Sequence, residues 1–335
     1  MSGQHSIQHG TQEAAPLQAT PAGVLVFYSA VDVGQEWKDA LQAACPALEV
    51  WVADPVDASL PGDLARVRYT LVWKPPQGFF ARFPNLKLII NLGAGVDALV
   101  TRDDLPDVPV TRVSDPNMAR MMASFVLFCV LRHAREIPTF ERAQRERRWH
   151  YVHPRPAEEI RVGVLGLGEL GATAALELAR QGFQVSGWSR TPKTLAGVRC
   201  VHGLEALDDF LGGCEIVVVL LPLTPDTRGL MNAERLARLP RGARFINVSR
   251  GPVVVEAALV EALRSGQIGE ATLDVFEVEP LPAESPLWGM DNVLITPHLA
   301  SIAIPRTAAA QIAGNIARVD AGEAVENRVD PLRGY

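Results

Sequence analysis

The chain has 335 residues, 48 % hydrophobic and 21 % charged, with a formal net charge of −6 and a sequence pI of about 5.7. At about 150 residues per domain this length fits two domains, and the apolar content excludes wholesale disorder. The acidic balance gives no general attraction to nucleic acid or to an anionic membrane. Cys45, Cys129, Cys200 and Cys214 are scattered without a CxxC pair, which argues against a zinc site or a disulfide framework and suits a reducing compartment.

Residues from Ser2 to about Gly23 are rich in Gln, His, Ala, Thr and Pro without periodicity. They read as a disordered tail, and no basic stretch followed by an apolar core marks a secretory signal. From Val24 short apolar runs alternate with amphipathic stretches. The pattern predicts strands over Val24–Tyr28, Glu49–Val52, Tyr69–Trp73 and Leu86–Leu92, with a helix over Gln35–Ala44. Between Asn117 and Ile137 a long helix is predicted, apolar nearly all round and therefore buried between layers or domains. Its apolar run, Met121 to Leu131, is flanked by Arg120 and Arg132 and is far short of the roughly 20 residues that span a bilayer. The basic cluster Glu141–Trp149 interleaves Arg with Glu and Gln, as a solvated helix end does.

A second strand-helix series follows, with strands over Arg161–Leu165, Gln184–Trp188, Ile216–Leu220, Arg244–Val248, Ala271–Val275 and Val293–Thr296. Helices are expected over Leu170–Gln181 and, Ala-rich, over Pro305–Ala321. Alternation of this kind predicts an α/β fold with two doubly wound parallel sheets, the second domain starting near the long helix.

Gly166-Leu-Gly168-Glu-Leu-Gly171 is a GxGxxG pattern between an apolar strand and a helix-forming segment. That context marks a dinucleotide turn: Gly166 for the tight bend, Gly168 for close approach of a pyrophosphate, Gly171 for helix-strand packing. The end of the next strand carries Ser189 where an NAD-preferring fold has an acid, followed by Arg190 and Lys193. A guanidinium can pair with a 2′-phosphate that a carboxylate would repel, so NADPH is favoured over NADH.

Three further segments stand at the C-terminal ends of predicted strands, where open α/β sheets place ligands. Arg250 follows Phe245–Ser249; Asp274 and Glu279 follow the Ala271 strand; His298 follows Ile295-Thr-Pro297. His5 and His9 lie in the tail, and His133, His150, His153 and His202 on a helix or in loops, so His298 alone occupies a strand end. Reduction of a 2-oxo acid needs a cation for the carboxylate and carbonyl, a proton donor, and a carboxylate that favours the charged donor. Arg250, His298 and Glu279 fill those roles.

The set GxGxxG, NVSRG, DVFxxEP and TPHLA, in that order, resembles the D-isomer-specific 2-hydroxyacid dehydrogenases over essentially the whole chain after the tail. Within them it looks most like the bacterial A-type glyoxylate/hydroxypyruvate reductases, through LVWKPP (71–76), LGAGVDAL (92–99), WSR (188–190), SPLW (285–288) and Arg333-Gly-Tyr335. The resemblance implies His298 as general acid, Glu279 as its partner and Arg250 as substrate anchor. It implies backbone amides of Ala94, Gly95 and Val96 on the substrate carboxylate, with Trp73 and Lys74 beside them. It places Asp274 on the nicotinamide carboxamide, Leu221, Pro222 and Thr227 along the cofactor, and Glu169, Leu170, Val248, Ser249, Ala300 and Met122 in the same set. No metal is implied.

The resemblance also implies a discontinuous substrate domain, residues 24–117 plus 301–335, interrupted by an NAD(P)-binding Rossmann domain over 118–300. Closure of the two domains is expected to exclude water. A homodimer is implied, with Trp149 either a wall of the partner's active site or an ordinary buried interface residue; the lack of a signal or membrane span reads as cytoplasmic. The sequence departs from the pattern at Met121-Met-Ala-Ser124-Phe125, where relatives often carry Glu then His or Tyr, and at Lys74. Two alternatives stand beside the NADPH-dependent reductase: an NAD-dependent dehydrogenase of a bulkier 2-hydroxy acid, and a dinucleotide-sensing regulator.

Overall fold

The structure is a computed structural model that describes residues 23–330; the tail up to residue 22 and Arg333-Gly-Tyr335 lie outside the described residues. In chain order it runs β1 (Val24–Tyr28), α1 (Gly34–Ala44), β2 (Glu49–Val52), β3 (Val67–Val72), β4 (Leu88–Asn91), α2 (Asp97–Val100) and β5 (Val110–Arg112). Two helices follow, α3 (Pro116–Ala134) and α4 (Ile137–Arg145), and then β6 (Arg161–Leu165), α5 (Glu169–Arg180), β7 (Gln184–Ser189), β8 (Arg199–His202), α6 (Leu207–Gly212) and β9 (Ile216–Val219). The last part comprises α7 (Ala233–Arg238), β10 (Ala243–Asn247), α8 (Glu256–Arg264), β11 (Ile268–Leu273), β12 (Val293–Ile295) and α9 (Pro305–Ala321).

These elements form two compact units, one of residues 23–94, 102–113 and 305–328, the other of 95–101, 114–304 and the last described residues. The main junctions fall at 113/114 and 304/305, where the sequence reading puts 117/118 and 300/301. The first lies earlier because Asp115 caps α3, its carboxylate accepting from the Asn117 N–H at 2.6 Å, so the helix start belongs to the second unit.

In the first unit all strands are parallel, in the order β2-β1-β3-β4-β5. Such strands have both faces covered, which is why β1 reads VLVFY and is buried throughout. Helix α1 buries Trp37 and Leu41 and packs with α9, and the Tyr69 hydroxyl donates to Asp320 at 2.6 Å. Strand β3 begins at Val67, before the expected Tyr69, because Val67 pairs with Val24 across a register shift.

The second unit is a seven-stranded parallel sheet, β12-β11-β10-β9-β6-β7-β8. From β6 the chain winds outward through β7 and β8, then returns to the other side at β9, so the switch point lies between β6 and β9. Leu165, Val217, Phe245 and Leu273 pack on one face of the sheet with α6, α7 and α8; Val162, Val164, Val218 and Ile246 pack on the other with α3 and α5. The long helix stops at Ala134 rather than Ile137. Glu136 takes a left-handed conformation (φ +54°), and Pro138, which lacks an N–H, sits in the first turn of a new helix, where none is needed. Its burial is one-sided, Phe128 being 51 % exposed. Among the described residues no helix is long and apolar enough to cross a membrane.

At the start of β11 the second unit buries a charged cluster. Arg142 Nη1 lies 2.9 Å from Glu270 Oε1, the His133 ring meets Glu270 Oε2 at 3.4 Å and Thr272 Oγ1 at 3.0 Å, and Arg244 stands behind the same carboxylate. So Arg142, in the cluster expected to be solvated, in fact tethers α4 to the sheet. Burial pushes the His133 ring below its ordinary value of 6.5, the bond to Glu270 only partly opposing it. Burial alone would push Glu270 up, yet the bond from His133, the Arg244 charge and the bond from Arg142 outweigh it and hold the carboxyl below 4.5. Both groups are proton-poor in the fold relative to the unfolded chain, so stability is lost as pH falls, through His133 below about 6.5 and through Glu270 below about 4.5. Thermal melts from pH 7.5 to 5 should therefore show a falling Tm that His133→Gln flattens; an unaltered slope would place the acid sensitivity elsewhere. Glu270→Gln should cost roughly 3 kcal/mol by leaving Arg142 and Arg244 without their buried counter-charge.

Candidate active site

The site lies at the C-terminal ends of the second unit's strands. Strand β6 ends at Leu165, Gly166 turns at φ +103°, and its N–H donates to Trp188 at 2.8 Å. A Cβ on Gly171 would sit 1.8 Å from the Gly166 carbonyl oxygen, so only glycine lets α5 start this close to the strand. A Cβ on Gly168 would meet nothing within 4 Å, and Gly168 supplies no side-chain cap. Space is thus open at Gly168, at the helix end that carries the partial positive charge, an arrangement that fits a dinucleotide pyrophosphate. Glu169 is turned to Ser114, whose hydroxyl donates to its carboxylate at 2.5 Å, and Leu170 packs on the core.

Strand β7 ends at Ser189, which is buried and donates its hydroxyl to Thr191 O at 2.8 Å. No acid stands there. Arg190 is exposed and paired loosely with Asp226, 3.7 Å away, and Lys193 is exposed. Asp226 is a counter-charge that sequence reasoning missed. After β9, Leu221 is buried, and Thr227 closes its own loop: its hydroxyl accepts from the Thr224 N–H at 2.8 Å and donates to Pro222 O at 2.6 Å. Met122, Val248 and Ala300 are buried in the core beneath.

After β10, buried Asn247 accepts from both the N–H and the hydroxyl of Ser249, a side-chain turn that folds the chain back and brings Arg250 forward. The Arg250 guanidinium donates through Nη1 to Ser249 O and through Nε to Asp97, both at 2.8 Å, and Nη1 lies 3.5 Å from His298 Nε2. His298 Nδ1 meets Glu279 Oε2 at 2.9 Å, and Glu279 Oε1 accepts from the Phe276 N–H. An ionised Glu279 accepts, so the Nδ1 proton faces it and Nε2 points at Arg250.

His298 has φ +56°, uncommon for a residue with a side chain. Asp274, 1 % exposed, enforces it. Its carbonyl accepts from the His298 N–H, while its carboxylate accepts from the Thr296 hydroxyl and from the N–H groups of Leu299 and Ala300, at 2.6 to 2.9 Å. Of about four acceptor positions on a carboxylate, three are thereby occupied.

The second unit thus brings together Gly95, Val96, Arg250, Asp274, Glu279 and His298, and adds Asp97, whose place in LGAGVDAL gave no hint of its partner. Trp73, Lys74 and Ala94 belong to the first unit, where Trp73 follows β3, Lys74 has φ +45° and its Nζ stands 5.7 Å from the Trp73 ring. Trp149, after α4, is 98 % exposed.

The model of the D-isomer specific 2-hydroxyacid dehydrogenase NAD-binding domain matches residues 127–300. A protein of Serratia proteamaculans (strain 568) named glyoxylate/hydroxypyruvate reductase A is 39 % identical over 317 residues, 93 % of this chain and 99 % of its own. A D-isomer specific 2-hydroxyacid dehydrogenase from Xanthobacter autotrophicus Py2, solved with NADPH and MES, is 78 % identical with a TM-score of 0.91, over 94 % of this chain and all of its own. An NADPH-dependent glyoxylate/hydroxypyruvate reductase from Sinorhizobium meliloti, solved with NADP and sulfate, is 39 % identical with a TM-score of 0.86, over 93 % of this chain and 100 % of its own.

Replacing Asp274 by Ala would strand the buried Ala300 N–H, remove the acceptor of the Leu299 N–H and release the turn that carries His298. We expect Asp274→Ala to lower stability by about 3 kcal/mol in denaturant unfolding. A loss below about 1 kcal/mol, the net worth of one ordinary hydrogen bond, would mean that the turn holds without it.

Proposed function

The chain belongs to the D-isomer specific 2-hydroxyacid dehydrogenases, a family of NAD(P)-dependent oxidoreductases, and from that premise we propose which reaction it performs. It reduces small 2-oxo acids of the glyoxylate and hydroxypyruvate kind to 2-hydroxy acids, with NADPH preferred over NADH. The observation that carries this reading is the His298–Glu279 pair at 2.9 Å with the Arg250 guanidinium 3.5 Å from the ring's Nε2, all at strand ends of the unit that bears the glycine turn.

When bound, the reduced nicotinamide supplies the hydride to the carbonyl carbon. Gly166, Gly168 and Gly171 would hold the pyrophosphate, with Arg190 and Lys193 toward a 2′-phosphate. Asp274 keeps one carboxylate position for the carboxamide. Ser189 in place of an acid favours the phosphorylated cofactor, and similar proteins solved with NADPH or NADP support the same choice. Arg250 Nη1 and His298 Nε2 stand so that one oxygen at hydrogen-bond distance from both closes a triangle on their separation. A substrate carbonyl oxygen there is polarised by the guanidinium and takes its proton from Nε2, while Glu279 holds the ring by Nδ1. The amides of Gly95 and Val96 are proposed contacts for the rest of the substrate.

We read the protein as a cytoplasmic homodimer in which the exposed segment bearing Trp149 and Tyr151 is the surface covered; sedimentation of the native chain against Trp149→Ala tests it. Absorbance at 340 nm with glyoxylate and hydroxypyruvate, each with NADPH and NADH, tests the reaction. At least about tenfold higher kcat/KM with NADPH is expected, and a preference for NADH would overturn the roles given to Arg190 and Lys193. His298→Ala should lower kcat by about 100-fold or more with NADPH binding retained. Glu279→Gln should lower kcat with NADPH binding retained, because the ring loses the carboxylate that orients Nδ1, and an unchanged kcat would contradict the coupling.

A further inference from the structure

Arg250 does not reach its place unaided. Its side chain comes from the loop after β10, yet the partner of its Nε is the carboxylate of Asp97 at 2.8 Å, 153 positions away in sequence at the first residue of α2. Both side chains are largely shielded, 19 % and 22 % exposed. The same segment meets the guanidinium from a second side: a Cβ on Gly95 would lie 1.7 Å from Nη2, so the Gly95 backbone is the surface against which the fork rests.

A helix-dipole role explains little here, because α2 is a single four-residue turn. The bond to Nε does something specific. A guanidinium is a rigid planar fork, and fixing Nε to Asp97 and Nη1 to Ser249 O sets the plane of the whole group. Without Asp97 the fork keeps its charge but can turn about its last side-chain torsions. Arg250 Nη1 would also face His298 Nε2 at 3.5 Å without the Asp97 carboxylate beside the guanidinium.

We propose that Asp97 is a positioning residue for Arg250, standing to the guanidinium as Glu279 stands to His298. The proposal rests on the reading of Arg250 as the anchor of a 2-oxo acid. It is tested on the full chain by steady-state kinetics with glyoxylate and NADPH. Asp97→Asn should lower kcat/KM by about ten- to a hundredfold, mostly through KM for the 2-oxo acid, the range expected for a lost hydrogen bond to a charged group. NADPH affinity, read from its fluorescence, should stay within about twofold, which also shows the variant to be folded. In an Arg250→Lys background, which has no Nε, the second substitution should add less than about twofold.

An unchanged or higher kcat/KM in Asp97→Asn would overturn the proposal, the latter by making Asp97 a competitor for the guanidinium. Equal losses in NADPH and substrate binding would reduce it to a structural acid, and losses that multiply with Arg250→Lys would exclude action through Arg250. A crystal structure of Asp97→Asn decides independently of turnover: the guanidinium should leave its place against Gly95, and an unmoved group sinks the idea. If the parent enzyme reduces no 2-oxo acid, the functional reading fails while this structural readout still stands.

Discussion

The carboxylate of Asp274 is buried at the end of β11 and accepts from Thr296, Leu299 and Ala300, and through these bonds the turn that carries His298 takes a backbone conformation it would otherwise avoid. The loop that leaves Asp274 also carries Glu279, so one strand end supplies the support of the imidazole from below and its counter-charge from the side. Arg250 arrives from the neighbouring strand, held by Asn247 and Ser249 behind it and by Asp97 across from it. Each chemistry-bearing side chain is thus backed by a second polar group that is itself tied to backbone, which fixes direction as well as position.

Strand β11 carries two buried acids, and the fold satisfies them in opposite ways. Glu270, at one end, is surrounded by Arg142, Arg244 and His133. Asp274, at the other, is met by neutral N–H and O–H donors from the turn it organises. The difference suits their settings. A cation beside Asp274 would occupy the carboxylate positions that instead order the backbone of residues 296–300. At Glu270 no such constraint exists, and ionic partners also pin α4.

Much of this was legible in the chain because parallel strands covered on both faces are written as continuous apolar runs, VLVFY, RVGVL and IVVV among them. Strands β5 and β8 escaped because Val110-Thr-Arg112 and Arg199-Cys-Val-His202 lie at sheet edges and carry no such run. Arg250, Glu279 and His298 were readable since each closes or follows a strand, where ligands gather in such sheets. Asp97 was not, because no local pattern announces a partner 153 residues on. The hydroxyls of Ser189 and Thr227 were legible as positions and illegible as bonds: both close turns in their own loops. The same holds for Asp274, whose hold on residues 296–300 depends on β11 and β12 lying side by side.

The order of the units along the chain bears on biogenesis. The first unit begins at the N-terminal side, but α9, which packs on α1 and whose Asp320 accepts from Tyr69, is made only after residue 304. Translation is vectorial, and domains fold as cooperative wholes once their parts have emerged. The body of the later unit, residues 114–304, leaves the ribosome complete while the earlier one still lacks its last helix. The usual N-to-C sequence of domain maturation is therefore inverted, and strands β1 to β5 wait with the α1 face that will receive α9 still uncovered.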